Sequence, residues 1–297
     1  MFDTRAAICY NNSMGVRVKA YAKLNLTLAI TGAKDGYHLL DSLVCTVDLF
    51  DLIKLKKRKD KLINVEMHGQ GTEALAPEDN NAVKAAEAYV NAFGTCGADI
   101  KIFKNIPVGA GMGGSSADTA GVLRGMAMLY GKGGESDLKE LADTLGSDTG
   151  YLLTGGFARL TGRGEKVERL KVNHKLNFLL LLPAGGVSTA QCYKLYDGTP
   201  QDARSCEPAL NALLTGDTER LGKSLFNALY APAVKLNVGV ETAFCELADF
   251  APLGVNMTGS GSGVYALFDT AEMCAYAQSR YKGKCRCIQL KSYIPKI

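Results

Sequence analysis

Residues 107 to 118, Pro-Val-Gly-Ala-Gly-Met-Gly-Gly-Ser-Ser-Ala-Asp, constrain the fold of this chain more than any other stretch. Gly109, Gly111, Gly113 and Gly114 leave backbone N–H groups unshielded by a Cβ and free to take φ > 0, so several donors can converge on one anion. The small and apolar run that follows, through Ala117, Ala120, Val122, Leu123 and Met126, predicts a helix whose N-terminus aims its partial positive charge at the same spot. Ser115 and Ser116 add hydroxyls where a phosphate oxygen or its metal would sit. A strand over Asp99 to Lys104 feeds the loop. The loop lacks the Gly-Lys-Ser/Thr ending of a Walker P-loop and the spacing of a dinucleotide fingerprint, and a plain tight turn would have the same composition.

The remaining frame is broad. A chain of 297 residues suits two domains, and its formal charge of +4 suits anionic small molecules without the concentrated basic face that nucleic acid requires. The basic run from Lys54 to Lys61 lies between two alternating apolar stretches and reads as a solvated hairpin. Nine cysteines without zinc-type pairing point to a reducing compartment. No apolar run approaches the roughly 20 residues of a membrane span. The expectation is a cytoplasmic protein. Residues 1–13 carry no periodic pattern and read as a disordered leader, or as sequence before a true start at Met14.

Alternation predicts strands from Val16 to about Met67 with a turn at Gly32 to Gly36, then helices at Asn81 to Phe93, after the glycine loop, and at Ser136 to Leu145. A hairpin at Gly162-Arg-Gly164, a strand at Phe178 to Leu182 and a helical region from Ser188 to Asp249 follow. A strand (Val264 to Phe268), a helix (Ala271 to Tyr281) and a strand (Cys285 to Lys291) end the pattern. Mixed elements without a strict βαβ repeat mean α+β. The boundary falls near Gly155 to Leu170, giving domains of 14–160 and 161–297.

Three clusters, Lys23-Leu-Asn-Leu, the glycine loop and Thr258-Gly-Ser-Gly261, resemble the signature motifs of the GHMP small-molecule kinases. Ala22-Lys-Leu-Asn-Leu26, Asp35-Gly-Tyr-His38, Gly146-Ser-Asp148, Gly162-Arg-Gly-Glu165 and Gly185-Gly-Val-Ser-Thr189 resemble more narrowly the family that phosphorylates 4-diphosphocytidyl-2-C-methyl-D-erythritol. The likeness runs from about Val16 to Phe268. It implies a two-domain GHMP kinase fold, with a left-handed βαβ unit in the N-terminal domain and a ferredoxin-like C-terminal domain. It also implies transfer of the γ-phosphoryl of ATP to the substrate's 2-hydroxyl, in the non-mevalonate isoprenoid pathway. ATP and magnesium are the implied cofactors, with Ser116 the one candidate for a protein contact to the metal. No nucleic-acid or membrane partner is implied, and the chain is expected to be a monomer or homodimer.

Phosphoryl transfer to an alcohol needs the triphosphate's charge neutralised, the hydroxyl aligned, and an acceptor for its proton. Asp148 follows the end of a helix among glycines; an exposed cap reads the same way, and the resemblance assigns it the general base. Lys23, Asn25 and Thr27 share one face of a strand by parity, as at an ordinary sheet edge. The resemblance places Lys23 beside Asp148 and the acceptor, and Asn25 on the substrate. It gives Tyr37 and His38 the cytosine ring, with Tyr193 stacked on the ring's other face. Thr189 lies one helical turn from Tyr193. For ATP it marks Asn80, Lys104, Pro107, the four loop glycines, Ser115 and Ser116, with Gly259 and Gly261 closing from the second domain. Asn80 and Asp118 also read as helix caps, Tyr193 as core, and Gly259 and Gly261 as a β-turn.

The chain departs from the family's pattern at several points. The turn Gly32 to Gly36 is one residue short, Leu39-Leu40 follows His38, and Ser115 replaces a third consecutive glycine. Thr149-Gly150-Tyr151 stands where a proline and paired phenylalanines are expected. None removes a catalytic group. Mevalonate, homoserine or a sugar as acceptor, or a nucleotide sensor without turnover, are the competing readings. The base-holding residues argue against the former, and the Lys23 and Asp148 pair against the latter.

Overall fold

The computed structural model describes residues 15–69, 80–198 and 204–294, so the expected leader at 1–13 lies outside the described residues. In chain order the strands of the first half are β1 (Gly15–Asn25), β2 (Thr27–Lys34), β3 (Tyr37–Lys57), β4 (Asn64–His68), β5 (Ala98–Phe103), β6 (Phe157–Gly162) and β7 (Lys166–Leu170). Among them lie α1 (Asn81–Phe93), α2 (Gly114–Tyr130), α3 (Glu135–Leu145) and α4 (Thr149–Leu152). The second half runs β8 (Asn177–Leu182), α5 (Thr189–Asp197), α6 (Glu207–Thr215), α7 (Thr218–Lys223), β9 (Phe226–Asn227), α8 (Tyr230–Leu236) and α9 (Gly239–Ala248). It ends with β10 (Gly254–Met257), β11 (Val264–Phe268), α10 (Ala271–Arg280) and β12 (Arg286–Lys291).

β3, 21 residues long, is the spine of the first sheet. It pairs antiparallel with β1, β2, β5 and β6, while β4 runs parallel to β5. Because β6 pairs with β3 and β7 with β6, the first sheet extends to Leu170, across the 160/161 boundary expected from the sequence. α2 lies on this sheet so closely that a Cβ on Gly121 would sit 2.5 Å from Ile53 Cδ1, and one on Gly125 2.3 Å from Leu55 Cδ1. Small residues therefore set the depth of the helix that carries the glycine loop.

The second sheet has the order β10-β11-β8-β12, every pairing antiparallel. Its strands taken by sequence read 2-3-1-4, the ferredoxin-like order, with helices in both crossovers. Leu179, Leu181, Val264 and Ala266 pack one face against Val240, Ala243 and Leu247 of α9 and Cys274 and Ala277 of α10. Phe178, Leu180, Tyr265 and Leu267 on the other face join the core of the first sheet. β9 crosses back to pair in parallel with β2. No helix among the described residues is long and apolar enough to cross a membrane.

Pattern reading predicts nearly all of these elements and misses α4, β9 and β10, each four residues or fewer. Elements that short carry too little periodicity to register.

Candidate active site

The glycine loop takes the conformation its composition predicts. Gly109, Gly111 and Gly113 all have φ near +72°, which an L side chain resists. α2 opens without a side-chain cap, so its first-turn N–H groups remain available to a ligand. A cavity of about 410 Å³ lies over this loop, lined by Pro107 through Ser116 together with Met67, Asn80, Asn81, Lys104, Ile106 and Asp118. Asn80 both caps α1, its Oδ1 accepting from Ala82 N at 2.9 Å, and lines the cavity. Ser115 Oγ accepts from Asn81 Nδ2 at 3.0 Å.

Gly259 and Gly261 close on this loop from behind. Ser262 N donates to Gly109 O at 3.1 Å and Gly263 N to Ala110 O at 3.2 Å. The approach is so tight that a Cβ on Gly111 would lie 2.1 Å from Thr258 O, and one on Gly259 2.6 Å from Gly111 O. Glycine at both positions is thus required by contact as well as by φ.

Lys104 enters the cavity wall as part of a buried cluster. Its Nζ donates to Asp51 Oδ2, and to Asp118 Oδ2 at 2.6 Å. Asp51 Oδ1 also accepts from the backbone N–H of Asn105 and, at 2.8 Å, of Ile106. Burial lowers the Lys104 pKa, and the two carboxylates more than reverse this and hold it above its ordinary value. Burial pushes Asp118 up to about 7, Lys104 opposing and Asp51 adding to the rise. Asp118 is therefore not the helix cap that its place after Ser115 suggests, because its carboxylate turns inward to Lys104. Sequence reasoning also missed Asp51, which lies 53 residues from Lys104 with no local motif to mark it.

On the other side of the loop, Lys23 Nζ stands 3.4 Å from Asp148 Oδ2 and donates to Asn25 Oδ1 at 2.5 Å. The register of β1 against β3 slips between Tyr21 and Lys23, an irregularity that re-aims the side chain beside it. Lys23, Asn25 and Thr27 do share a face, but it is buried at 4%, 4% and 0% exposure rather than open to solvent. The third glycine motif covers it at Asn25, whereas Thr27 Oγ1 donates to Cys206 Sγ at 3.1 Å. Asn25 Oδ1 also accepts from Gly259 N at 2.9 Å, and its Nδ2 donates to Ser42 Oγ at 2.9 Å. The expected substrate-contacting asparagine thus sits behind Lys23. Asp148 starts α4 and keeps 28% of its side chain exposed, the open member of an otherwise closed group. Tyr151 takes the place of an expected phenylalanine, fully buried with its hydroxyl donating to Gly156 O at 2.7 Å.

His38 and Tyr193 meet face to face, ring centroids 4.7 Å apart, and His38 Nε2 lies 2.6 Å from Asp197 Oδ1. The rings stack on each other, which leaves no space for a third ring between the two. Burial raises the Tyr193 pKa, with the nearby Asp148 carboxylate adding to the rise. Thr189 Oγ1 is 2.8 Å from Ser260 Oγ, linking α5 to the third motif. Tyr37 is 56% exposed and lies under the Arg163 guanidinium at 4.8 Å. The structure thus gathers Lys23, Asn25 and Asp148, and separately His38 and Tyr193, with Tyr37 on the rim.

A glycine loop at a helix N-terminus, facing a lysine and aspartate across a two-sheet α+β body, defines the class of GHMP kinases, and residues 80–158 match the family described as GHMP kinases N terminal domain. Homoserine kinase from Cytophaga hutchinsonii shares the fold, with a TM-score of 0.72 at 21% identity over 96% of this chain and 97% of that one. A crystal structure of 4-(cytidine 5'-diphospho)-2C-methyl-D-erythritol kinase superimposes with a TM-score of 0.75 at 29% identity, covering 92% of this chain and 98% of that one. The 4-diphosphocytidyl-2-C-methyl-D-erythritol kinase of Clostridium beijerinckii is 33% identical over 91% of this chain and 97% of its own. That of Desulfitobacterium hafniense is 37% identical over 86% and 88%. The chain belongs to the 4-diphosphocytidyl-2-C-methyl-D-erythritol kinase family.

Proposed function

We propose that this protein transfers the γ-phosphoryl group of ATP to the 2-hydroxyl of 4-diphosphocytidyl-2-C-methyl-D-erythritol, the step its family serves in the non-mevalonate isoprenoid pathway. The observation that carries this reading is the Lys23 and Asp148 pair, held at the mouth of the glycine loop. A Cβ on Gly113 would lie 3.2 Å from Lys23 Cε, so the acceptor side and the phosphate loop are in contact.

The loop amides and the α2 N-terminus receive the triphosphate, whose charge they offset without moving. The backbone amides at this helix start suit the phosphate oxygens, and the Ser116 hydroxyl is the side-chain oxygen that would touch a magnesium carried by the nucleotide. When bound, the ion screens the phosphate oxygens. The acceptor oxygen attacks the γ-phosphorus, the bond to the ADP oxygen breaks, and the hydroxyl proton passes to Asp148. Lys23 keeps that carboxylate oriented, and Asn25 holds the ammonium. Asp197 accepts a hydrogen bond from His38 Nε2–H, and in the neutral imidazole this leaves Nδ1 as an acceptor for an exocyclic amine such as that of cytosine. Tyr193 backs the imidazole and Tyr37 flanks the same opening. Lys104 and Asn80 wall the nucleotide end.

The test follows ADP release from magnesium-ATP with the cytidyl substrate beside mevalonate, homoserine and galactose. Turnover with the cytidyl substrate alone is expected. Turnover only with another acceptor would keep the phosphotransfer and overturn the pocket assignment.

A further inference from the structure

We propose that Thr258 is a positioning residue for phosphoryl transfer, one hydroxyl that sets the acceptor side and the phosphate loop together; this rests on the reaction proposed above. Thr258 is fully buried and does not line the cavity over the glycine loop. Its Oγ1 accepts from Asn25 N at 3.1 Å, and lies 3.2 Å from Gly111 O and 3.3 Å from Asn25 Oδ1.

A hydroxyl has a single proton to donate. Asn25 Oδ1 already accepts from Lys23 Nζ and Gly259 N, which uses both of its lone pairs. The Thr258 proton therefore goes to Gly111 O. That carbonyl belongs to the middle glycine of the phosphate loop, while the accepted bond fixes the backbone of Asn25, the residue that holds the Lys23 ammonium. Through one oxygen, 233 residues from Asn25 in sequence, Asn25 is tied to Gly111, beside the direct backbone bond from Lys23 N to Met112 O at 3.0 Å. The backbone bonds from Ser262 to Gly109 and from Gly263 to Ala110 hold the loop near the sheet whether or not the hydroxyl is present. Lys23 N, which donates to Met112 O, likewise fixes the lysine's backbone without it. What Thr258 adds is the placement of Asn25, and through its Oδ1 of the Lys23 ammonium, relative to Gly111. A misplacement of about 1 Å between reacting groups costs on the order of 100-fold in rate.

The variants are Thr258→Val, which keeps the shape and removes the hydroxyl, and Thr258→Ser, which keeps the hydroxyl and removes a methyl. For Thr258→Val, kcat should fall about 10- to 100-fold, while KM for both substrates and the ATP dissociation constant measured by calorimetry change less than threefold. Thr258→Ser should return kcat to within about threefold of the parent. Melting temperatures separate positioning from mere support: a structural role makes the loss track the melting temperature and appear alike in both variants. If Thr258→Val does not fold, Thr258→Cys, which preserves size and weakens both hydrogen bonds, should give an intermediate kcat. A valine or cysteine variant with parental kcat overturns the proposal alone. A parent protein that binds ATP but turns over no acceptor overturns the reaction and this role together.

Discussion

Two lysines, each about 5% exposed, sit on opposite sides of the glycine loop, and their surroundings differ in kind. Lys104 is enclosed by two buried carboxylates in direct hydrogen bonds, so three charges share a closed space. Lys23 faces one carboxylate at 3.4 Å, and that carboxylate is partly open. A tight, closed pair cannot change partners without leaving a buried charge unpaired. A looser, open one can exchange a proton or admit a hydroxyl. The same residue type thus stands in a closed cluster on one side of the loop and in an open pair on the other, the fixed wall and the working group of the reaction proposed above.

The comparison breaks most sharply at Asp148. Asp148→Asn should lower kcat by about 10²- to 10⁴-fold while the ATP dissociation constant stays within threefold; unchanged turnover would remove the open pair from the chemistry. Lys104→Met should act in the opposite currency. It strands Asp51 and Asp118, so stability should fall by about 3–5 kcal/mol in denaturant titration, whereas Lys23→Met should leave the midpoint near the parent's and abolish turnover. Equal destabilisation by both would erase the distinction.

A smaller effect belongs to pH. The folded Asp118 carboxyl titrates at about 7, above the value near 4 of an unfolded aspartate. A raised folded value means the protonated form is favoured by folding, so its contribution is full below about 4 and is lost as pH climbs toward 7. Asp118→Asn should therefore gain stability relative to the parent across that window and hold the gain above it, as thermal midpoints from pH 4 to 8 would show. A constant difference would mean that Asp118 does not titrate there. Smallest is His38→Ala, which should raise KM for the cytidyl substrate about tenfold with kcat little changed. An equal loss with an unrelated acceptor would argue against base reading.

The asymmetry is only half legible in the sequence. The glycine loop is contiguous, and its φ demands, helix start and small-residue packing all follow from residue type. Lys23 and Asp148 are 125 residues apart, and their spacing alone gives no reason to pair them; the family resemblance does. In the Lys104 cluster the resemblance marks only Lys104: Asp51 has no motif and Asp118 reads as a helix cap, because burial that comes from tertiary packing leaves no periodic mark. Parity places Lys23, Asn25 and Thr27 on one face, but whether that face meets water depends on a turn 233 residues away. The His38 and Tyr193 stack likewise depends on where α5 docks.

The returning segments β9 and Ser292 carry a consequence for how the protein is made. Phe226 and Asn227 complete the edge beside β2, Ser292 bridges to Val47, and Tyr293 N donates to Thr46 O at 2.8 Å, on the residue paired with Lys23. A chain leaving the ribosome from its N-terminus emerges over many seconds. Throughout that time the strand behind Lys23 lacks its last partners. Cutting the gene between the two sheets would part β2 from β9 and Thr46 from Tyr293, contacts that the N-terminal half alone does not carry.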